Sequence, residues 1–122
     1  MTADKDTRVC ATPEGSAAAR IARLNDAFRR TCRGGTLVAT AGVIGLGSGA
    51  LPLIHAQMRK EATFTPANDP HGEHNFGTVA WLGAKIFWKI DYYDVDMQYG
   101  SPDPSDPAVT TRVMTIMLAN EY

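Results

Sequence analysis

Residues 75–94, NFGTVAWLGAKIFWKIDYYD, constrain this chain more than any other stretch, because two runs of alternating character flank a single glycine. Period-two alternation on both sides of a short break is the pattern of a β-hairpin. With Gly83 and Ala84 as the central pair of a type II′ turn, whose first position requires φ > 0, the register follows. It sets Trp81 against Ile86, Val79 against Trp88, Gly77 against Ile90 and Asn75 against Tyr92 on one apolar face. Leu82, Ala80, Phe87, Thr78, Lys85 and Lys89 share the other face. At the open end Phe76 then meets Asp91 and His74 meets Tyr93, so that His74, Glu73, Asp91, Tyr93 and Asp94 collect there.

The remaining elements follow from caps and periodicity. Thr12-Pro13-Glu14 offers an N-cap and a first-turn proline, with Ser16 as an alternative cap, for a helix running to about Arg33 and ended by Gly34-Gly35. Ala17, Ile21, Leu24, Phe28 and Cys32 recur on one face of it, and Arg20, Arg23, Arg29, Arg30 and Arg33, with Asp26, cover the solvated arc. TLVAT, residues 36–40, is a short β-branched run that predicts a buried strand. The glycines of AGVIGLGSG lack the Lys-Ser/Thr and the spacing of a phosphate-cradling loop, so they read as tight turns into a helix over roughly 50–62. Leu51, Ile54 and Met58 face the core from that helix, with Pro52 confined to its first turn. After the hairpin, SPDPSDP makes a stiff loop, and Asp106-Pro107 predicts the cap and first position of a final helix. Val109, Val113, Ile116 and Met117 would be its apolar face, widened by Met114 and Leu118, with Thr111, Arg112 and Thr115 as its polar arc. The expected order is α-β-α-β-β-α: a flexible tail over 1–12, then one α+β domain over 13–122. Its three-stranded sheet would be covered by the first and last helices, and the hairpin edge joined by residues 36–40 stays open.

Charge is uneven along the chain although the total is −1. Residues 1–62 hold nine Lys/Arg against five Asp/Glu, a balance of +4, and residues 63–122 hold three against eight, a balance of −5. Such asymmetry concerns partners, not fold. The two cysteines, Cys10 and Cys32, imply no disulfide framework, and a reducing cytoplasm is the expected setting. The N-terminal MTADKDTRVC lacks the apolar core of a signal peptide, and the uncharged run 34–58 is broken by glycines, Pro52, His55 and Gln57, unlike a membrane span.

Candidate chemistry gathers near the hairpin's open end. His71, Glu73, His74 and Asp94, with Asp69, Asp91 and Asp96 nearby, are the ligand types of a Zn²⁺ or Mn²⁺ site, but the H-x-E-H spacing matches no established motif and no cofactor is assigned. His74 oriented by Asp91 or Asp94 would suit acid–base work, yet no nucleophile or oxyanion element accompanies it. The arginines of the first helix are a nucleic-acid surface only if other recognition elements support them, and none does. Asp91, Tyr93, Asp94, Asp96, Tyr99 and Asp103 instead make an acidic, aromatic surface suited to a protein partner.

The strings NDPHGEHNFG, FWKIDYYD, YGSPDPSDP and TIMLANEY resemble a small bacterial family, domain of unknown function 3768, with the likeness extending over roughly 21–122. Asn75 stands where the family pattern carries Asp. The resemblance implies no activity. It implies small intracellular proteins borne on plasmids and other mobile elements, commonly beside anti-restriction genes. The expectation is a non-catalytic anti-defence protein, of anti-restriction or anti-CRISPR type, whose acidic surface occupies a basic channel of a host defence nucleoprotein complex. A metal-dependent hydrolase or nuclease built on the His/Asp/Glu cluster and a nucleic-acid binder using the arginine helix are the alternatives.

Overall fold

The structure, a computed structural model, describes residues 16–60 and 64–122. Helix α1 (Ala17–Thr31) leads into strand β1 (Gly35–Ala39), and helices α2 (Ala41–Ile44) and α3 (Ala50–Met58) follow. The hairpin of β2 (Phe76–Trp81) and β3 (Ala84–Tyr93) comes next, and β4 (Thr111–Leu118) is the last strand. The strands form one mixed sheet in the order β1-β4-β3-β2, with β1 parallel to β4 and the other neighbours antiparallel. Phe28, Val43, Ile54 and Met58 from the helices meet Val79, Ile86, Trp88, Ile90, Met114 and Ile116 from the sheet in one core. The fold is α+β in two layers, helices on one sheet face.

Several expectations are corrected here. Residues 111–118 form a strand, not a final helix, so the sheet has four strands instead of three, and α1, α2 and α3 cover it. Asp106 does cap, accepting from the Ala108 amide at 2.9 Å, but it starts only one 3₁₀ turn, Pro107–Val109. The reason is position: β4 lies between β1 and β3 and is buried on both faces, through Arg112, Met114 and Ile116 on one and Val113 and Met117 on the other. A strand of that kind loses its alternation, and a continuous apolar run imitates a helix. Conversely β1, expected to be buried, is an edge strand with Gly35, Thr36 and Val38 exposed.

The hairpin forms with its faces as expected but a different register. Trp81 pairs with Ala84, Val79 with Ile86 and Gly77 with Trp88, around a two-residue turn of Leu82 and Gly83. The displacement is two residues, so each side chain keeps its face. Both turn residues have positive φ, 47° at Leu82 and 85° at Gly83, the signature of type I′. The indole decides the register: a Cβ on residue 77 would lie 2.4 Å from Trp88 ring atoms, so only glycine fits opposite it. Space across the sheet thus outweighs the cost of a leucine in the left-handed region. Leu82 is 88% exposed and loses nothing by substitution. Leu82→Asn is expected to raise stability by about 1 kcal/mol, since asparagine tolerates this conformation better. The midpoint of urea unfolding would report it.

Helix α1 starts at Ser16, the alternative cap, whose side chain accepts from the Ala19 amide at 3.0 Å. The Thr12 cap and the tail over 1–12 lie outside the described residues. The helix ends earlier than expected, with Cys32 as a left-handed C-cap at φ 58°. Its buried stripe is Ile21, Ala22, Asn25, Phe28 and Arg29, which takes Arg29 out of the solvated arc. Helix α3 buries Ile54 and Met58 completely, as the periodicity predicts. The glycine-rich segment receives an anion from its own chain: the Glu121 carboxylate accepts from Thr40 Oγ1 at 2.6 Å, the Gly42 amide at 3.1 Å and the Leu118 amide at 2.8 Å. The Thr40 hydroxyl, first among these partners, holds that carboxyl below its ordinary range. None of the described helices is long and apolar enough to cross a membrane.

Candidate functional site

Beyond β3 the chain makes a tight excursion. Tyr93 bridges to Gly100, the Asp94 amide donates to the Tyr99 carbonyl at 2.8 Å, and the Ser101 amide donates to Tyr92 at 3.1 Å. Inside the loop, Asp94 Oδ1 accepts from the Gln98 amide at 3.0 Å, and the Met97 amide donates to the Asp94 carbonyl at 3.0 Å. Asp94 is therefore the side chain that shapes the loop, as an Asx turn does. The consequence is an outward display: Val95 is 62% exposed, Tyr99 73% and Met97, at φ 58°, 49%. Asp96 is exposed among them.

The descending segment is equally tied. Asp103 accepts from Ser105 Oγ at 2.6 Å and from its amide at 3.1 Å, and these hydrogen bonds, aided by the charge of Arg20, hold its carboxyl below the ordinary range. Ser101 Oγ meets Thr110 Oγ1 at 2.7 Å and accepts from the Asp103 amide, while Thr110 Oγ1 donates to the Asp103 carbonyl at 2.8 Å. Asp94, Asp96, Tyr99 and Asp103 thus share one loop system. Asp91 and Tyr93 sit at its base in β3, with Asp91 paired to Lys89 at 3.3 Å, so the acidic field is weaker at the base than at the tip.

Behind this loop lies a polar cluster that the sequence reading missed. Asn25, fully buried, donates through Nδ2 to Tyr92 Oη at 2.8 Å and to the Glu73 carbonyl at 2.9 Å, and accepts from Arg112 Nε at 2.8 Å. Tyr92 donates to Glu73 Oε1 at 2.8 Å, and Arg112 reaches the Pro104 carbonyl while its guanidinium stands 5.2 Å from the Tyr92 ring. Burial pushes the Tyr92 hydroxyl well above its ordinary pKa and lowers that of Arg112. The network joins α1, β3, β4, the 69–74 segment and the 101–106 loop in one unit. A signal existed: Asn25 interrupts the apolar face between Ile21 and Phe28, four and three residues away.

His74 is held by a second cluster, and by a different partner from the one expected. It is not opposite Tyr93 and does not pair with Asp91 or Asp94: Nδ1 lies 3.0 and 3.1 Å from the Asp26 carboxylate oxygens, on α1. Its amide donates to Asp69 at 3.2 Å, its backbone is left-handed at φ 56°, and its ring stacks on Phe64 at 4.0 Å. Asp26 also accepts from buried Arg29 at 2.7 Å, and Arg29 Nε donates to the Met58 carbonyl at 3.1 Å beside Phe64 and Trp88. These contacts fasten the 64–74 segment to α1 and α3. His71 is exposed and, with Pro70, lines two shallow clefts of about 350 and 400 Å³. The four metal candidates therefore point to separate tasks: His74 to Asp26, Glu73 to Tyr92, Asp94 to its own loop, His71 to solvent. Among the described residues no three His, Cys, Asp or Glu side chains are grouped to hold a metal ion.

Comparison with known proteins gives one match. The model of the family described as Protein of unknown function (DUF3768) matches residues 39–121, from the end of β1 through β4 and the final 3₁₀ turn. No curated protein and no solved structure matches significantly. The matched span holds His74, Tyr92, Arg112 and the whole 94–106 loop, and covers more than half of the chain; the protein belongs to the DUF3768 family.

Proposed function

We propose that this is a non-catalytic binding protein whose contact surface is the loop system 94–103, directed at a basic protein surface such as the nucleic-acid channel of a host defence complex. The observation that carries the reading is the pairing of exposed Val95, Met97 and Tyr99 with Asp96 on a loop fixed by Asp94. Exposed apolar and tyrosine side chains on a preorganised loop are the usual anchors of an interface, since little conformational freedom remains to be lost on binding. The carboxylates around them supply steering toward positive charge. The anti-defence setting comes from the family resemblance, and the loop supplies a physical means for it.

The test uses the purified chain as bait in extracts of its host, beside a triple variant, Asp94→Asn, Asp96→Asn and Asp103→Asn, and a Tyr99→Ala variant. Asparagine keeps the acceptor oxygens that hold the loop, so stability should shift by less than about 0.5 kcal/mol per site. For the partner captured by wild type, the triple variant is expected to associate more slowly and with a shallower salt dependence. Tyr99→Ala should accelerate dissociation roughly tenfold or more, the cost of losing an aromatic anchor. Unchanged kinetics in both folded variants would exclude this loop as the contact surface.

A further inference from the structure

Where β2 begins, the sheet and the segment leading into it form a cleft of about 350 Å³, lined by Asn68, His71 and Asn75 from the approach, by Phe76, Lys89 and Asp91 from the strands, and by Tyr122. Its parts are held by the chain's own hydrogen bonds. Asn68 Oδ1 accepts from the Thr65 amide at 2.8 Å, the Asp69 amide donates to the Thr65 carbonyl at 2.7 Å, and the Gly72 amide donates to the Asp69 carbonyl at 3.1 Å. Tyr122 follows Glu121, whose carboxylate is anchored on Thr40, Gly42 and Leu118. The cleft is thus largely pre-formed, as ligand sites usually are. On the sheet face without helices, Phe76, Phe87 and Tyr122 gather with ring centroids 5.1 to 5.7 Å apart and planes inclined by 59° to 85°. None of these pairs is a parallel stack, and Tyr122, 74% exposed, leaves a ring face to solvent. Beside the rings, the Asn75 side-chain amide and the His71 imidazole make no hydrogen bond among the described residues.

We infer that this cleft binds one nucleobase, of a free nucleotide or of an unpaired strand, with the base lying on the Phe76 and Tyr122 rings and its hydrogen-bonding edge turned to Asn75. A base has a π face that an aromatic platform accepts whatever its sequence identity. Its edge carries donors and acceptors side by side, and an asparagine amide, donor and acceptor together, matches an amino group beside a ring nitrogen. Charge selects the same ligand. Lys89 and Asp91 neutralise each other as an ion pair at 3.3 Å, so the cleft offers a donor and an acceptor without a net charge. A partner's arginine or a bare phosphate finds no counter-charge there, whereas a neutral planar base needs none. The other clefts lack this combination. In one, Phe64 is already stacked on His74 at 4.0 Å. Another is lined by Arg20, Arg23, Leu24 and Ser105, and a third by Ala84, Lys85, Leu118 and Asn120, both without an aromatic ring. The site is separate from the 94–103 loop and does not depend on the reading given for it.

The test is a nuclear magnetic resonance titration of the isotope-labelled full chain with the four ribonucleoside monophosphates, with oligo(dT) and oligo(dA), and with an abasic strand of the same length. Saturable shifts are expected at Asn75, Phe76 and Tyr122 with base-bearing probes and not with the abasic strand. Monophosphates that bind as tightly as the strands identify a free nucleotide as the ligand, and a requirement for the strand identifies unpaired nucleic acid. Tyr122→Ala and Asn75→Ala should each weaken binding roughly tenfold or more, by loss of stacking and of edge pairing respectively. Tyr122→Phe should retain it, because the ring and not the hydroxyl carries the stacking. Circular dichroism and melting temperature are checked first, and Asn75→Ala serves alone if Tyr122→Ala loosens the tail. Absence of saturable shifts at this cleft with every base-bearing probe, equal binding of the abasic strand, or an affinity indifferent to the alanine variants would each overturn the inference.

Discussion

Trp88→Ala is expected to cost about 3 to 5 kcal/mol, enough to consume most of the stability of a domain this size. Trp88 is fully buried and touches both layers: Phe64 meets it edge-on at 6.4 Å and Arg29 stands 5.4 Å from its ring. Among the described residues its Nε1 has no hydrogen-bond partner, so the expected loss comes from the volume of the indole. The register offers a sharper version of the experiment. Gly77→Ala introduces a methyl group where ring atoms of Trp88 already lie, and should cost roughly 1 to 3 kcal/mol by overpacking. In a Trp88→Leu background the same change should cost markedly less, because the clash has been removed. Equal costs in both backgrounds, measured from urea midpoints, would contradict the Gly77–Trp88 pairing.

Asn25→Ala should be nearly as damaging, at about 3 kcal/mol, although the side chain is small. It strips partners from the Arg112 guanidinium, the Tyr92 hydroxyl and the Glu73 carbonyl at once, and a buried cation left short of a partner is costly. A double variant, Asn25→Leu with Arg112→Met, removes donor, acceptor and charge together. It is expected to be more stable than Asn25→Ala alone, as replacements of buried polar pairs by apolar side chains often are. If instead the two losses add, the network is a set of independent contacts. The double variant should also loosen the 101–106 loop, which Arg112 holds through Pro104, and proteolysis there would detect it.

What was legible in the sequence was the part governed by local rules. The hairpin faces, the burial of Ile54 and Met58, and the caps at Ser16 and Asp106 follow from period, turn residues and side-chain oxygens close in sequence. The failures come from neighbours distant in sequence. β4 looked helical because burial on both faces erased its alternation, and β1 looked buried because β-branched composition does not distinguish a central strand from an edge. The hairpin register was decided by an indole across the sheet, not by the turn. The 94–103 loop stood out in the sequence because acids and a tyrosine cluster there locally. Asn25, Asp26, Arg29 and Arg112 were missed because their distant partners lie 29 to 87 residues away along the chain.

The pairing of β1 with β4 also has a temporal meaning. Gly35 aligns with Arg112, a separation of 77 residues (112 − 35), while β2 and β3 meet through a two-residue turn. Contacts that distant carry a large loop-closure cost and form late, so the hairpin is ready long before β1 finds its place. During synthesis, at roughly 5 to 20 residues per second, β1 leaves the ribosome several seconds before β4 exists to receive it. Throughout that interval both of its edges are open, and it carries neither charge nor proline to discourage misassociation in a crowded cell.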